Sequence, residues 1–182
     1  MSETPAPSDH VLRTLAIIPP GSRVLDLGCG TGRHTRAFAQ LGFDTWACDA
    51  DADNIAATRE ALSDLVDDAS ARITLASPDA LGYPDDHFDW VVAYGPYDSA
   101  ETAGDLFDRI AETKRVLKMG AWVIAALRVD VAAGEDLDPE ALAKAMAEAG
   151  LALAEDPALE HDPVLGPVVR GIFRKVGPGV SG

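Results

Sequence analysis

Short apolar runs alternate with amphipathic segments along most of the chain. The apolar runs have the length, the bounding turns and the aliphatic content of buried strands. They lie at residues 23–27, 44–48, 72–76, 88–94 and 121–127. The segments of helical periodicity between them lie at residues 33–41, 53–66, 98–117 and 138–150. This alternation predicts an α/β fold in which helices cover both faces of an open, doubly wound, mostly parallel sheet.

Both ends of the chain depart from simple alternation. A helix is predicted before the first strand, with Ser8 as its N-cap. Its apolar face would consist of Val11, Leu12, Leu15 and Ile18. After residue 150, strands are predicted at residues 151–154 and 168–176, and the loop between them is too short for a crossover helix. These two strands must therefore pair as an antiparallel hairpin.

Helix starts are predicted from capping residues. Asp98, followed three residues later by Glu101, resembles a capping box, and Asp138 stands where the N-cap of the last helix is expected. A chain of this length forms about one domain. We expect that domain over residues 8–176, with a disordered N-terminus at residues 1–7 and a mobile tail at residues 177–182.

The balance of acidic and basic residues limits the kinds of partner that this chain can bind. The chain has 182 residues, with thirty acidic against fifteen basic side chains and a net charge of −15. Such a charge repels a phosphate backbone, so a nucleic-acid partner is not expected. The acidic excess fits a halophilic source and an ordinary acidic cytosolic protein equally well.

Targeting and metal signals are absent from the sequence. No apolar run approaches the ~20 residues of a membrane span, and no secretory signal is present, so we expect a cytoplasmic protein without a membrane partner. The two cysteines, Cys29 and Cys48, and the four scattered histidines lack the spacing of metal ligands or redox pairs. We therefore expect no metal, and either a monomer or a homodimer.

A glycine-rich turn, G-C-G-T-G at residues 28–32, follows the first predicted strand and precedes a helix. Glycines there let a ligand lie against bare backbone. A dinucleotide fingerprint would need a third glycine where Arg33 stands. Asp26, two residues before the turn, opposes a pyrophosphate and suits a ligand with an ammonium and a sulfonium group. The turn therefore favours S-adenosylmethionine over a nicotinamide dinucleotide.

Two further acids follow the next two strands. Asp49 ends the second strand, where a carboxylate can accept from both hydroxyls of a ribose. A helix cap is the alternative role, for which Asp51 and Asp53 are better placed. Asp79 follows the third strand and could accept from an adenine amine, with the amide of Ala80 donating to a ring nitrogen. Three acids at successive strand ends indicate a nucleoside lying across the edge of the sheet.

These residues make the chain resemble the small, single-domain class I S-adenosylmethionine-dependent methyltransferases over residues 10–176. The segment VLDLGCGTG at residues 24–32 matches the glycine motif of that family, and Asp49 matches its ribose-binding acid. Residues 79–89 resemble its adenine loop, and residues 115–121 resemble its turn before the fifth strand. The resemblance implies a seven-stranded Rossmann-like sheet in the order 3-2-1-4-5-7-6, with strand 7 antiparallel.

The resemblance also implies which residues contact S-adenosylmethionine, with His34 supporting its methionine end. The expected contacts are Asp26, Gly28, Cys29, Gly30, Gly32, His34, Asp49, Ala50, Asp79, Ala80 and Tyr94.

The acceptor site is expected at the end of the fourth strand. Methyl transfer is an in-line displacement, so the protein mainly aligns the acceptor and excludes water. The pocket candidates are Tyr94, Tyr97, His10 and His161, and no catalytic base is assigned. Methyltransferases of planar nitrogens often carry (Asn/Asp/Ser)-Pro-Pro-(Tyr/Phe) here, whereas this chain keeps only Pro96-Tyr97 after Gly95.

The leading hypothesis is S-adenosylmethionine-dependent methyl transfer to a small molecule through an oxygen, nitrogen, sulfur or chalcogenide nucleophile. We expect neither an inserted cap nor an added domain for a large substrate, which favours a small acceptor. Two alternatives stay open: a module that binds the cofactor without turnover, and an N-methyltransferase that acts on a protein or base through Pro96-Tyr97. A nicotinamide-dependent oxidoreductase is disfavoured by Asp26 and Arg33.

Overall fold

The computed structural model describes residues 5–129 and 139–177. Its strands are β1 (Arg23–Leu27), β2 (Asp44–Asp49), β3 (Ile73–Leu75), β4 (Phe88–Tyr94), β5 (Leu117–Arg128), β6 (Leu151–Asp162) and β7 (Gly166–Lys175). Its helices are α1 (Asp9–Leu15), α2 (Arg33–Gln40), α3 (Ala52–Ala61), α4 (Ala69–Arg72), α5 (Ala103–Val116) and α6 (Pro139–Glu148). The seven strands form one sheet in the order β3-β2-β1-β4-β5-β7-β6. The predicted fold class and strand order are confirmed.

The terminal hairpin makes the sheet mixed. Strands β1 to β5 pair in parallel, whereas β7 runs antiparallel to both β5 and β6. Strand β6 is longer than predicted because irregularities between Leu153 and Glu155, and between Glu155 and Ala158, let pairing continue through a polar segment. The turn of this hairpin therefore reaches the same end of the sheet as the carboxyl ends of β1 and β4.

The capping box predicted at Asp98 is wrong. The N-cap of α5 is Thr102, whose hydroxyl accepts from the Asp105 amide while the Asp105 carboxylate accepts from the Thr102 amide. Asp98 instead accepts from the backbone N–H of Arg128 at 2.9 Å. Two capping signals stand four residues apart, and the later one is used, with both reciprocal capping bonds formed. The cap predicted at residue 138 lies outside the described residues.

Two apolar layers cover the sheet. Leu25 and Val91 belong to the core shared with α5 and α6, whereas Val24, Val92 and Tyr94 belong to the core shared with α1 and α2. Val11 and Leu15 of α1 are buried, as predicted for its apolar face, and so is Ile18, which lies beyond the end of the helix at Leu15. Leu12 is 41% exposed. The apolar face of α1 is therefore narrower than predicted. It packs α1 beside Tyr94, at the carboxyl end of β4.

No helix in the described parts of the chain is long and apolar enough to cross a bilayer. Over residues 5–129 and 139–177, no three His, Cys, Asp or Glu side chains are grouped so that they could hold a metal ion. The bounds of the domain stay predictions.

Candidate functional site

A cleft of about 300 Å³ opens at the carboxyl ends of β1, β2 and β4. Strand order reverses there, which is where open α/β sheets bind ligands. The lining residues are Leu27, Gly28, Asp49, Ala50, Ala76, Pro78, Tyr94, Gly95, Pro96, Asp98, Ser99 and Leu165. Four of the predicted cofactor contacts are among them: Gly28, Asp49, Ala50 and Tyr94. A larger groove, of about 670 Å³, lies beside Trp90 and Trp122 and contains none of the predicted residues.

The glycine turn is shaped by three residues with positive φ. Gly28, Gly30 and Gly32 have φ of 72°, 54° and 86°. A Cβ on Gly28 would lie 2.9 Å from Pro96 Cβ, and one on Gly32 would lie 3.0 Å from Thr58 Cγ2. A Cβ on Gly30 would meet nothing within 4 Å. Packing therefore explains the outer two glycines, whereas Gly30 presents bare backbone to open space, which is what a bound nucleoside requires.

Asp49 is positioned by the turn itself. Its Oδ2 accepts from the Gly30 amide at 2.8 Å, and its Oδ1 accepts from the Asp51 amide at 2.9 Å and from Asn54 Nδ2 at 3.2 Å. The N-cap of α3 is Asp51, which accepts from the Asp53 amide. Asp49 is thus not a cap. Its carboxylate lies on the cleft wall beside Gly30, which fits a ribose diol at that place.

Asp26 lies behind the turn and does not line the cleft. It is 1% exposed, and its Oδ2 accepts from the Thr35 hydroxyl at 2.6 Å. Burial raises the pKa of Asp26 to about 6, although hydrogen bonds from Thr35 oppose that shift. The carboxylate therefore joins β1 to α2 beneath the glycine turn, and direct contact with a ligand ammonium stays a prediction.

Replacement of Asp26 by Asn should change how stability depends on pH. The pKa of the folded protein at this residue lies above the unfolded value near 4, so the folded state binds more protons between pH 4 and 6. Stability therefore falls as pH rises through that window, by at most about 2–3 kcal/mol. Asp26→Asn lacks this group, so its unfolding free energy relative to wild type should increase from pH 4 to pH 7. Urea unfolding at both pH values measures this, and a difference independent of pH would contradict it.

The adenine side of the predicted site is open to solvent. Asp79 is exposed and accepts from the Ser77 hydroxyl, which holds its pKa below the usual range. The Ala80 amide donates to the Ser77 carbonyl at 2.9 Å, so it is engaged in a turn. The neighbours Ala76 and Pro78 line the cleft. Contacts of Asp79 and Ala80 with adenine stay predictions.

A second cavity of about 290 Å³ lies under α1 and shares Tyr94 with the cleft. His10 Nδ1 lies 2.9 Å from Tyr94 Oη, and the Ser8 hydroxyl donates to the same oxygen at 3.3 Å. The Ser8 amide donates to Nε2 of His34 at 3.3 Å. Burial lowers the pKa of His34 to about 3, so that ring is neutral. The exposed His161 lines this second cavity.

Tyr97 does not line either cavity, so its predicted place in the acceptor pocket is corrected. It is fully buried in the core shared with α5, and its hydroxyl lies 2.7 Å from Thr113 Oγ1. The chain turns at Gly95, whose φ is 87°, and directs Pro96 against Gly28 while Tyr97 enters the core. The remaining half of the nitrogen-methylation motif therefore has a structural role.

Sequence reasoning missed the tether between Arg33 and Asp162. Arg33 Nη2 donates to both carboxylate oxygens at 3.0 Å, and the two side chains are 10% and 2% exposed. Asp162 also accepts from the amides of Val164 and Leu165 at 2.9 Å, which holds Leu165 in the cleft wall. The partners are 129 residues apart, so no local pattern indicates the pair.

Comparison with known proteins agrees with this geometry. The sequence profile of the family described as "methyltransferase domain" matches residues 24–120. A 2-methyl-6-phytyl-1,4-hydroquinone methyltransferase of Synechocystis sp. is 31% identical over 113 residues, which is 59% of this chain and 34% of that protein. A demethylmenaquinone methyltransferase of Parafrankia sp. is 37% identical over 123 residues, which is 59% of this chain and 46% of that protein. The chain thus spans less than half the length of these relatives.

A solved structure supports the fold. A SAM-dependent methyltransferase from Methanosarcina mazei superposes with a TM-score of 0.74 at 16% identity, covering 90% of this chain and 97% of that one. With more than half of the sequence matched by the family profile, the chain belongs to the methyltransferase-domain family. This confirms the predicted class, the S-adenosylmethionine-dependent methyltransferases, and the predicted cofactor.

Proposed function

We propose that this chain transfers the methyl group of S-adenosylmethionine to a small-molecule acceptor held beside Tyr94. The observation that carries the proposal is the bond between the Gly30 amide and the Asp49 carboxylate, next to backbone that a ligand can cover. When bound, the cofactor supplies a methyl group on a sulfonium sulfur. The chain itself contributes a ribose acceptor, a bare turn and a cleft wall that orients the acceptor.

Hydroxylated aromatic rings are the first acceptor class to test. The two relatives above are named for a hydroquinone and for demethylmenaquinone. Other relatives are named C-methyltransferases, and carbon is a nucleophile that the sequence-based hypotheses leave out. The N-methylation alternative has lost its support because Tyr97 lies in the core. The cytoplasmic location and the monomeric or homodimeric state expected from the sequence remain part of this proposal.

Turnover with a labelled methyl donor tests the proposal. The purified chain is incubated with methyl-labelled S-adenosylmethionine and a panel of hydroquinones, phenols, thiols and amines. We expect label in at least one acceptor and suppression by excess S-adenosylhomocysteine. Tight binding of S-adenosylhomocysteine with no labelled product anywhere in the panel would instead support the binding module without turnover.

A further inference from the structure

A line of polar groups runs from the cleft, beneath α1, to the surface. Tyr94 borders both the cleft and the cavity under α1. Its Oη lies 2.9 Å from His10 Nδ1, and His10 Nε2 lies 3.4 Å from Glu155 Oε1. His10 is only 3% exposed, whereas the Glu155 side chain is 45% exposed. The line therefore begins in a buried position and ends where water can exchange protons.

The hydrogen bonds along this line have a consistent direction. The Ser8 hydroxyl donates to Tyr94 Oη, so the hydrogen of Tyr94 can be donated to His10 Nδ1. The ring proton of His10 then resides on Nε2. That atom is buried and has no hydrogen-bond partner among the described residues, although the Glu155 carboxylate is close. A buried donor left unpaired is costly and calls for a functional explanation.

Burial and the charges around His10 lower its pKa and so favour the neutral ring, whose Nδ1 can accept a hydrogen bond. Burial lowers the pKa of His10 and Arg170 lowers it further, while Glu155 and Glu160 raise it and Arg13 lowers it slightly. Burial also raises the pKa of Tyr94 to about 12, so the phenol keeps its proton at neutral pH. His34 cannot replace His10, because its Nε2 already accepts from the Ser8 amide.

We propose that Tyr94, His10 and Glu155 form a path that carries the hydroxyl proton of the methyl acceptor from the cleft to solvent. This inference rests on the proposed function. It names the residues that would remove the proton when the acceptor is a hydroxyl group. Tyr94 is the residue that contacts the acceptor, and His10 and Glu155 act through it.

The step balances without a further reactant. The acceptor O–H bond breaks as its proton passes to Tyr94 Oη, while the hydrogen of Tyr94 passes to His10 Nδ1. The electron pair released on the acceptor forms the bond to the methyl carbon, directly from oxygen or through an activated ring carbon. After attack through a ring carbon, that carbon loses its own hydrogen as a proton to water, its C–H electron pair restores the aromatic ring, and the oxygen takes a proton back. The bond between that carbon and sulfur breaks, and its electron pair stays on sulfur. His10 becomes an imidazolium beside Glu155 and loses its Nε2 proton to that carboxylate or to water.

Exchange of the Tyr94 hydroxyl with solvent tests the path without an acceptor. The chain has three tyrosines, so labelling with carbon-13 at the tyrosine Cζ gives signals for Tyr83, Tyr94 and Tyr97. In mixed H₂O and D₂O, the isotope shift of each signal reports hydroxyl exchange. His10→Gln should slow exchange at Tyr94 by roughly tenfold or more, because the neutral base beside it is gone. Glu155→Gln, at an exposed position, should slow it to a smaller degree.

The internal references separate loss of the path from a general loosening of the fold, because Tyr83 and Tyr97 lie in the core on the other face of the sheet. Tyr83 and Tyr97, bonded to Thr74 and Thr113, should exchange at the same rate in every variant. Thr14→Val is the matched control, since Thr14 donates to the His10 carbonyl and lies outside the path. Its Tyr94 exchange should equal that of wild type.

Exchange at Tyr94 that is unchanged or faster in both His10→Gln and Glu155→Gln overturns the path, because mere loosening of α1 accelerates exchange. The same samples are titrated with S-adenosylhomocysteine. If wild type binds S-adenosylhomocysteine but neither variant slows Tyr94 exchange, only the proposed path is refuted. If wild type does not bind S-adenosylhomocysteine, the proposed function is refuted.

Discussion

Replacement of Asp49 by Ala should weaken binding of S-adenosylhomocysteine by about 1–3 kcal/mol, or roughly 5- to 150-fold in Kd. The carboxylate lies on the cleft wall, and its bond to the Gly30 amide fixes it beside the open surface of the turn. A ribose diol bound there donates to a charged acceptor, and such bonds are stronger than neutral ones. Calorimetric titration of the folded variant measures the loss.

Asp51→Ala is the matched control for this experiment. Asp51 is two residues away and caps α3 through the Asp53 amide, but it does not line the cleft. Its removal should lower the free energy of unfolding by about 1 kcal/mol, as for a lost N-cap, and leave the Kd unchanged. Equal affinity of Asp49→Ala and wild type would mean that the ribose lies elsewhere.

Gly30→Ala should reduce binding of S-adenosylhomocysteine by roughly 5- to 150-fold, which corresponds to the cost of about 1–3 kcal/mol for forcing extra atoms into a packed contact. A Cβ at this position meets nothing within 4 Å in the protein and would project beside Asp49, where we expect the ribose to bind. The φ of 54° lies in the left-handed region, where a side chain adds about 1–2 kcal/mol of strain. Binding and unfolding must therefore be measured together.

Gly42→Ala is the control that separates the effect of backbone strain from the effect of a Cβ that blocks the ligand. Gly42 has a φ of 77° and also has open space around its Cβ position, but it lies just after α2 and lines a different cavity, with Gly21 and Asp44. Gly30, in contrast, donates to the cleft residue Asp49. Gly42→Ala should lose about as much stability as Gly30→Ala but bind S-adenosylhomocysteine with wild-type affinity. If both variants lost affinity equally, the effect of Gly30→Ala would come from strain and not from a bound ligand.

The parts of the site that sequence predicted well are local. The strand, the glycine turn and the helix at residues 23–40 follow one another directly, and their spacing fixes where Gly30 lies. Asp49 ends the neighbouring parallel strand, so its place beside the turn follows from the strand order alone. Its alternative role as a cap could be set aside because Asp51 was better placed, and the structure has Asp51 as the N-cap.

The parts that sequence missed depend on tertiary contacts. Nothing local to residues 94–98 shows that Tyr94 faces α1 whereas Tyr97 enters the core, because Gly95 reverses the direction of the chain between them. The contact of His10 with Tyr94 joins residues 84 apart. Strand β6 extends to Glu155 and beyond through irregular pairing. The alternation of apolar and polar residues that marks a regular strand does not indicate this extension. The sequence therefore indicates Tyr94, His10 and His161 as candidates for the acceptor side, whereas their arrangement around Tyr94 is seen only in the structure.

A crystal structure of the chain with S-adenosylhomocysteine tests the central claim most directly. We expect the nucleoside to cover the Gly30 backbone, with both ribose hydroxyls donating to Asp49 and the sulfur facing Tyr94. A ligand bound away from the glycine turn, or no ligand in crystals soaked at saturating concentration, would contradict the assignment of the cleft.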